Sequence, residues 1–133
     1  MTIDNHVLAT YRLEKAHGHL KSAEILFHTG MYNDSIGRSY YAMFNAARAL
    51  LALKQLDSKK HSGVISLFNQ HFVKTGVIDR NTGKDLNKAR VRRESSDYSD
   101  FYTVGKEEAL SQLVAAKRFL RTIETTLNNM INR

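Results

Sequence analysis

The sequence predicts an all-α protein, an antiparallel bundle of four to five helices. Three observations carry that expectation. Four segments repeat their apolar residues at helical steps of three and four, no segment alternates polar and apolar long enough for a strand, and none of the 133 residues is proline. Without proline, helices run long and unkinked. A chain of this length buries one core rather than two, so residues 1–133 are expected to form a single domain.

In the first segment Leu13, Ala16, Leu20, Ala23 and Phe27 recur on one stripe, and Gly30 is the expected stop. The second opens after Asn33 or Asp34 as N-cap and steps through Ile36, Tyr40, Met43, Ala47 and Leu50. A parallel stripe through Phe44 and Leu51 makes it apolar over more than half its circumference, which predicts a central position. The third, "HSGVISLFNQHFV", packs Val64, Phe68 and Phe72. "KTGVIDRNTGK", with two glycines, reads as a loop, and "DLNKARVRRESSD" as a weaker, mostly polar helix. The last segment carries Ala109, Leu113, Ala116, Leu120, Ile123, Leu127 and Met130, a sustained bundle seam.

Apolar residues at 42% and charged residues at 25% fit an ordinary globular protein. The absence of cysteine excludes a disulfide framework and any thiolate metal site, and it suits a reducing, cytoplasmic setting. "MTIDNHVLATYRLEKAHGHL" is charged early and lacks the apolar core of a signal peptide. The most apolar stretch, "AMFNAARALLAL", contains Asn45 and Arg48 and is too short to span a bilayer, so no membrane association is expected. The net charge of +7 is unevenly placed. Residues 54–93 hold ten Lys/Arg against three acids, whereas residues 1–53 hold five against four and residues 94–133 five against six. A basic middle is the footprint of a patch that meets phosphate or an acidic partner, although solubility alone also explains basic domains.

Two constellations stand out. On the second helix Arg38, Tyr41, Asn45 and Arg48 fall within one narrow sector. Two guanidiniums with an amide and a phenol between them suit an oxyanion, and the bland alternative is a solvent-facing or interface edge. In "KARVRRESSDY", helical spacing puts Leu86, Ala89, Arg90, Arg93 and Asp97 on one side, with Lys84, Lys88 and Arg92 on the other. Charges that share the packed side are not what a purely solvated run predicts. A plain Arg93–Asp97 pair at i,i+4 remains the simpler alternative. His61, at the expected start of the third helix, is a candidate polar group near a site. Glu14 and His17 have a Glu-x-x-His spacing but lie off the apolar stripe, so surface positions are expected. The chain has neither a phosphate-binding glycine loop of the Walker type nor a Gly-x-Ser-x-Gly elbow.

With "RSYYAMFNAARALLALKQL", "KKHSGVISLFNQHFVKTGVID" and "NKARVRRESSDYSDF" in this order, the chain resembles HEPN-domain proteins over nearly its whole length. The similarity is to the small stand-alone members of bacteria and archaea. It implies a bundle of about five helices, a homodimer, and a small nucleotidyltransferase as the partner in a toxin–antitoxin pair. It also implies a metal-independent ribonuclease whose motif is Arg-x4–6-His on the fourth helix, so no metal or other cofactor is expected. This sequence departs from the motif where it matters. Arg90, Arg92 or Arg93 match the arginine, the helical face favours Arg90, and Asp97 stands in the histidine position. An ordinary aspartate is a weak base at neutral pH and its charge repels phosphate. The resemblance therefore implies weak or absent cleavage unless Asp97 is tuned. Tyr98 beside it is a candidate contact, stacking platform or modification site.

Two functions follow. One is a ribonuclease-like toxin that holds RNA or a nucleotide through Arg90, Arg93 and Asp97, with Arg38, Tyr41, Asn45, Arg48, His61, Arg92 and Tyr98 as further contacts. The other is a non-catalytic dimeric scaffold that docks a nucleotidyltransferase or binds a nucleotide.

Overall fold

Asp4 opens the first helix: its carboxylate accepts the amide hydrogens of His6 and Val7, satisfying donors that the first turn leaves unpaired. In this computed structural model, which describes residues 4–98, 100–101 and 103–132, five helices follow. They are α1 (Asn5–His28), α2 (Tyr32–Leu53), α3 (His61–Phe68), α4 (Arg80–Tyr98) and α5 (Lys106–Ile131). A π-helical turn, Asn69–Val73, continues α3. No strand occurs among the described residues. The all-α bundle is therefore as the periodicity predicts. Ser99, inside the third of the resemblance blocks, lies outside the described residues.

Two boundaries differ from the sequence reading. The helix α2 begins at Tyr32, so neither Asn33 nor Asp34 caps it. The chain reverses at the expected stop, where Gly30 takes φ of 80° while Gly30 N–H donates to Phe27 O and Met31 N–H to Leu26 O, and α2 follows it at once. That pair of bonds is a Schellman stop, and it leaves no residues to spare before α2. Asp34 instead sits in the first turn of α2, where its charge meets the positive helix end. The helix α4 likewise begins at Arg80, inside the segment expected to be a loop. Asp79 explains this: its carboxylate accepts from the Thr82 amide and hydroxyl and so caps the helix. Gly83 is needed there because a Cβ would lie 2.9 Å from Val73 Cγ2, at the end of the π turn.

The core forms around α2, which packs against α1, α3, α4 and α5. Its Ala42, Ala46, Ala47 and Ala49 are fully buried, and so are Ala9, Ala16 and Ala23 on α1. Small residues at seven-residue spacing let α1 lie close along α2, with Leu13 and Leu20 flanking the seam. At the other side of α2, Phe68 stacks on Phe72 and meets Phe119 at a tilt, with centroids 5.9 and 5.7 Å apart. Arg12 is nearly buried and ties the segment after α2 to α1. It donates to the Arg48 carbonyl at 3.1 Å and to Asp57 at 3.2 Å. No helix among the described residues is long and apolar enough to cross a membrane.

Candidate nucleic-acid groove

The steps of 3, 4 and 3 that aligned Arg38, Tyr41, Asn45 and Arg48 hold in α2, and all four line one open groove of about 650 Å³. Asp97 of α4 lines the same groove, so the two constellations read separately from the sequence meet here. The helix α1 adds Lys15 and His19. Phe44 and Arg48 also belong to an adjoining hollow of about 570 Å³, whose other walls include Lys59 and His61. The two spaces therefore share a wall.

Arg93 is the centre of the arrangement. Its side chain is 19% exposed, and its Nη2 donates to the Tyr41 hydroxyl at 2.9 Å. Its guanidinium carbon lies 5.2 Å from the Tyr41 ring centre and 5.9 Å from those of Tyr40 and Tyr98. A cation among three π faces is held in place at little cost in flexibility. Nε lies 2.9 Å from Asp97 Oδ2, an ion pair whose angle does not suit hydrogen-bond donation. The i,i+4 pair allowed by the sequence is thus present, and it sits at the groove rather than on a solvated face.

His61 is fixed from two sides. Its ring stacks on Phe44 with centroids 4.2 Å apart, and its Nδ1 is 2.9 Å from the Tyr40 hydroxyl. Burial pushes the Tyr40 phenol up to about 12, against the pull of Arg90 and Arg93. Burial also lowers His61, and the positive charges of Arg93, Arg90 and Arg48 lower it further while Glu94 opposes them. Both effects keep the pair neutral at physiological pH. His19, 3.3 Å from Arg38 Nη1, is lowered by burial and by the charges of Arg38 and Lys15.

The remaining sequence-derived positions divide. Arg90 pairs with Glu94 on its own helix at 3.0 Å, close enough to act electrostatically on Tyr40 and His61. Arg92 turns the other way. It donates to Gln112 of α5 at 3.3 Å, and Gln112 in turn donates to the Ile36 carbonyl of α2 at 3.1 Å. Arg92 therefore braces three helices and is not brought together with the groove residues. Asn45 is nearly buried and donates one amide hydrogen to the Tyr41 carbonyl. Arg48 is anchored at 3.1 Å by Asp57, which also holds Arg12. Its Nε is buried with no hydrogen-bond partner among the described residues. Tyr98 is 73% exposed at the end of α4. His17 pairs with Glu124 of α5, a surface tie between helices. No group of three or more His, Asp or Glu able to hold a metal ion occurs among the described residues.

Sequence reasoning missed Lys15, His19 and the role of Tyr40. Tyr40 lies on the apolar stripe of α2 and reads as core, which it is; only its hydroxyl reaches the site.

The model of the HEPN domain matches residues 9–126, from the first turns of α1 to near the end of α5, a span that holds every groove residue named above. The chain belongs to the HEPN domain family. Among its relatives, a Methanocaldococcus jannaschii protein named "Putative toxin MJ0605" is 37% identical over 119 residues, covering 90% of this chain and 88% of its own. A Thermotoga maritima UPF0332 protein is 32% identical over 120 residues, covering 90% and 91%. A Pyrococcus horikoshii UPF0332 protein reaches 52% over a shorter stretch of 71 residues, 53% of this chain and 50% of its own. In this HEPN domain the aspartate at position 97 lines one groove with the polar sector of α2, and the arginine at 93 backs that groove through its contacts with Asp97 and Tyr41.

Proposed function

We propose that this HEPN-domain chain is the ribonuclease-like toxin component of a toxin–antitoxin pair, that it engages single-stranded RNA in the α2–α4 groove, and that a nucleotidyltransferase partner restrains it. The observation that carries the reading is Arg93, set among Tyr40, Tyr41 and Tyr98 and bonded to Tyr41 and Asp97 at the edge of a groove lined by Arg38 and Arg48. Cationic groups that track a phosphate backbone, with aromatic rings beside them for bases, are what single-strand binding requires. The relative named as a putative toxin supports the biological setting.

The protein acts as a homodimer in this reading. The apolar excess of α2 is covered by the chain's own helices, so it offers no face for a second copy. The contact is assigned instead to the end of α4. Just past it Phe101 is fully exposed at φ 62°, an uncommon backbone conformation for a side chain of this size. Sedimentation at the mass of one chain across the micromolar range would remove the dimer from the account. The scaffold reading keeps one observation in its favour: Asp97 is neutralised by Arg93 and is not free to act as a base.

Fluorescence anisotropy of a labelled single-stranded RNA, titrated at several salt concentrations, tests the binding. Each phosphate neutralised contributes about −0.7 to the slope of log K against log salt. With Arg38, Arg48 and Arg93 engaged, the slope is expected at roughly −2 or steeper. Polyglutamate of similar charge serves as competitor. A flat salt dependence, or equal displacement by polyglutamate, contradicts the reading.

A further inference from the structure

The position that carries histidine in the family motif holds Asp97, whose charge is already spent on Arg93. A histidine nevertheless stands in the wall next to it. His61 comes from α3, on the far side of Phe44 and Arg48, and those two residues belong to both the groove and the hollow that His61 lines. A strand that follows the arginines of α2 past Phe44 meets this ring next.

We propose that His61 is the proton-transfer residue of the groove, acting through Nε2 on a ribose 2′-hydroxyl of the bound RNA; this rests on the RNA-binding reading above. The ring is built for that task. Stacking on Phe44 sets its plane, and the Tyr40 hydroxyl fixes its orientation by bonding Nδ1. Nε2 has no protein partner among the described residues, so it is the nitrogen left to work. With Nδ1 donating to the Tyr40 oxygen, Nε2 presents a lone pair. Tyr40 is on the central helix and fully buried, so the support does not move. This is the relation of a base to its orienting partner, with a phenol in the orienting place.

The step balances without a metal. The 2′-oxygen attacks phosphorus and the bond from phosphorus to the 5′-oxygen breaks, giving a 2′,3′-cyclic phosphate and a 5′-hydroxyl end. The 2′-hydroxyl proton passes to Nε2, the departing 5′-oxygen takes a proton from water, and the imidazolium returns its proton to the hydroxide so formed. The groups around His61 suit the base role. Arg48 on α2, Arg90 and Arg93 on α4 and Lys59 in the preceding segment outweigh Asp57 and Glu94, so the ring stays neutral, and Arg48 and Lys59 line the same hollow as His61, where a phosphate would lie.

The test uses end-labelled single-stranded RNA and the full chain, with chelator present. The wild type is expected to leave 2′,3′-cyclic phosphate ends. His61→Gln and His61→Ala are expected to lower the rate at least 100-fold, in the range typical of a lost general base, while RNA affinity stays within about threefold. Added imidazole should restore part of the His61→Ala rate, which a purely structural role for His61 would not allow. Wild-type rates in the His61 variants, or cleavage lost in Asp97→Asn and kept in His61→Gln, would overturn the proposal and give the role to another group. So would a wild type that binds RNA without cleaving it, and in that case the binding reading stands. Loss of RNA affinity along with cleavage in both His61 variants, without imidazole rescue, would reduce His61 to a structural part. If the wild type does not bind RNA at all, the failure lies with the underlying reading.

Discussion

Phe119→Ala is expected to cost about 3–5 kcal/mol of unfolding free energy, the usual range for emptying a large aromatic site in a packed core. Phe119 is fully buried on α5 and its ring meets Phe68, which in turn stacks on Phe72 of the π turn. The cavity would open where α5, α3 and the π turn converge, and the central helix α2 cannot collapse into it without disturbing its own alanine seam. A domain of this size is stable by about 5–15 kcal/mol, so the variant should be marginal at physiological temperature. Urea unfolding followed by circular dichroism measures it. A loss below about 1 kcal/mol would mean that the aromatic stack is not the centre of the core.

Arg93→Met is expected to weaken single-stranded RNA binding by roughly 10- to 100-fold, equivalent to the about 1.5–3 kcal/mol carried by a charge-assisted hydrogen bond. Two effects add. The guanidinium is lost as a phosphate ligand, and Asp97 is released from its ion pair, so an uncompensated negative charge is left in the groove. Methionine keeps the apolar stem against Tyr40 and Tyr41, which isolates charge from packing. Arg93→Lys should recover only part of the affinity, because an ammonium does not reproduce the planar fork that bonds Tyr41 and faces three rings. Affinity within about threefold of wild type in Arg93→Met would place RNA elsewhere.

Most of the fold is legible in the sequence because bundle helices announce themselves by period. The seam of α5 through Ala109, Leu113, Ala116, Leu120, Ile123 and Leu127 is buried throughout. Phe119 is not on that seam as read, yet it is fully buried, because α5 packs against α2 on one flank and the α3 aromatics on another. A single stripe cannot show a second contact. Gly30 closes α1 where the sequence places the stop; the boundaries misread were the starts of α2, directly after that turn, and of α4, which Asp79 caps inside a glycine-bearing stretch.

The site was legible in halves. Helical geometry grouped Arg38, Tyr41, Asn45 and Arg48, and separately grouped Arg90, Arg93 and Asp97. Only the packing of α4 against α2 brings Tyr41 to Arg93 and Asp97 to the groove. Arg92 and Arg93 are neighbours in sequence with opposite fates, one bracing Gln112 and the other lying among tyrosines. The 100° turn between them predicts that they diverge, but not what each meets. The pairing of His61 with Tyr40 has no sequence signal, since it links the core stripe of one helix to the first turn of another.

The most direct measurement of the central claim is photo-crosslinking of single-stranded RNA carrying 4-thiouridine, followed by mapping of the attached peptides. The account predicts crosslinks concentrated on Tyr41 and Phe44 of α2 and on Tyr98 of α4, reduced in Arg93→Met. Crosslinks confined to the opposite face of α4, around Lys84 and Lys88, would contradict it.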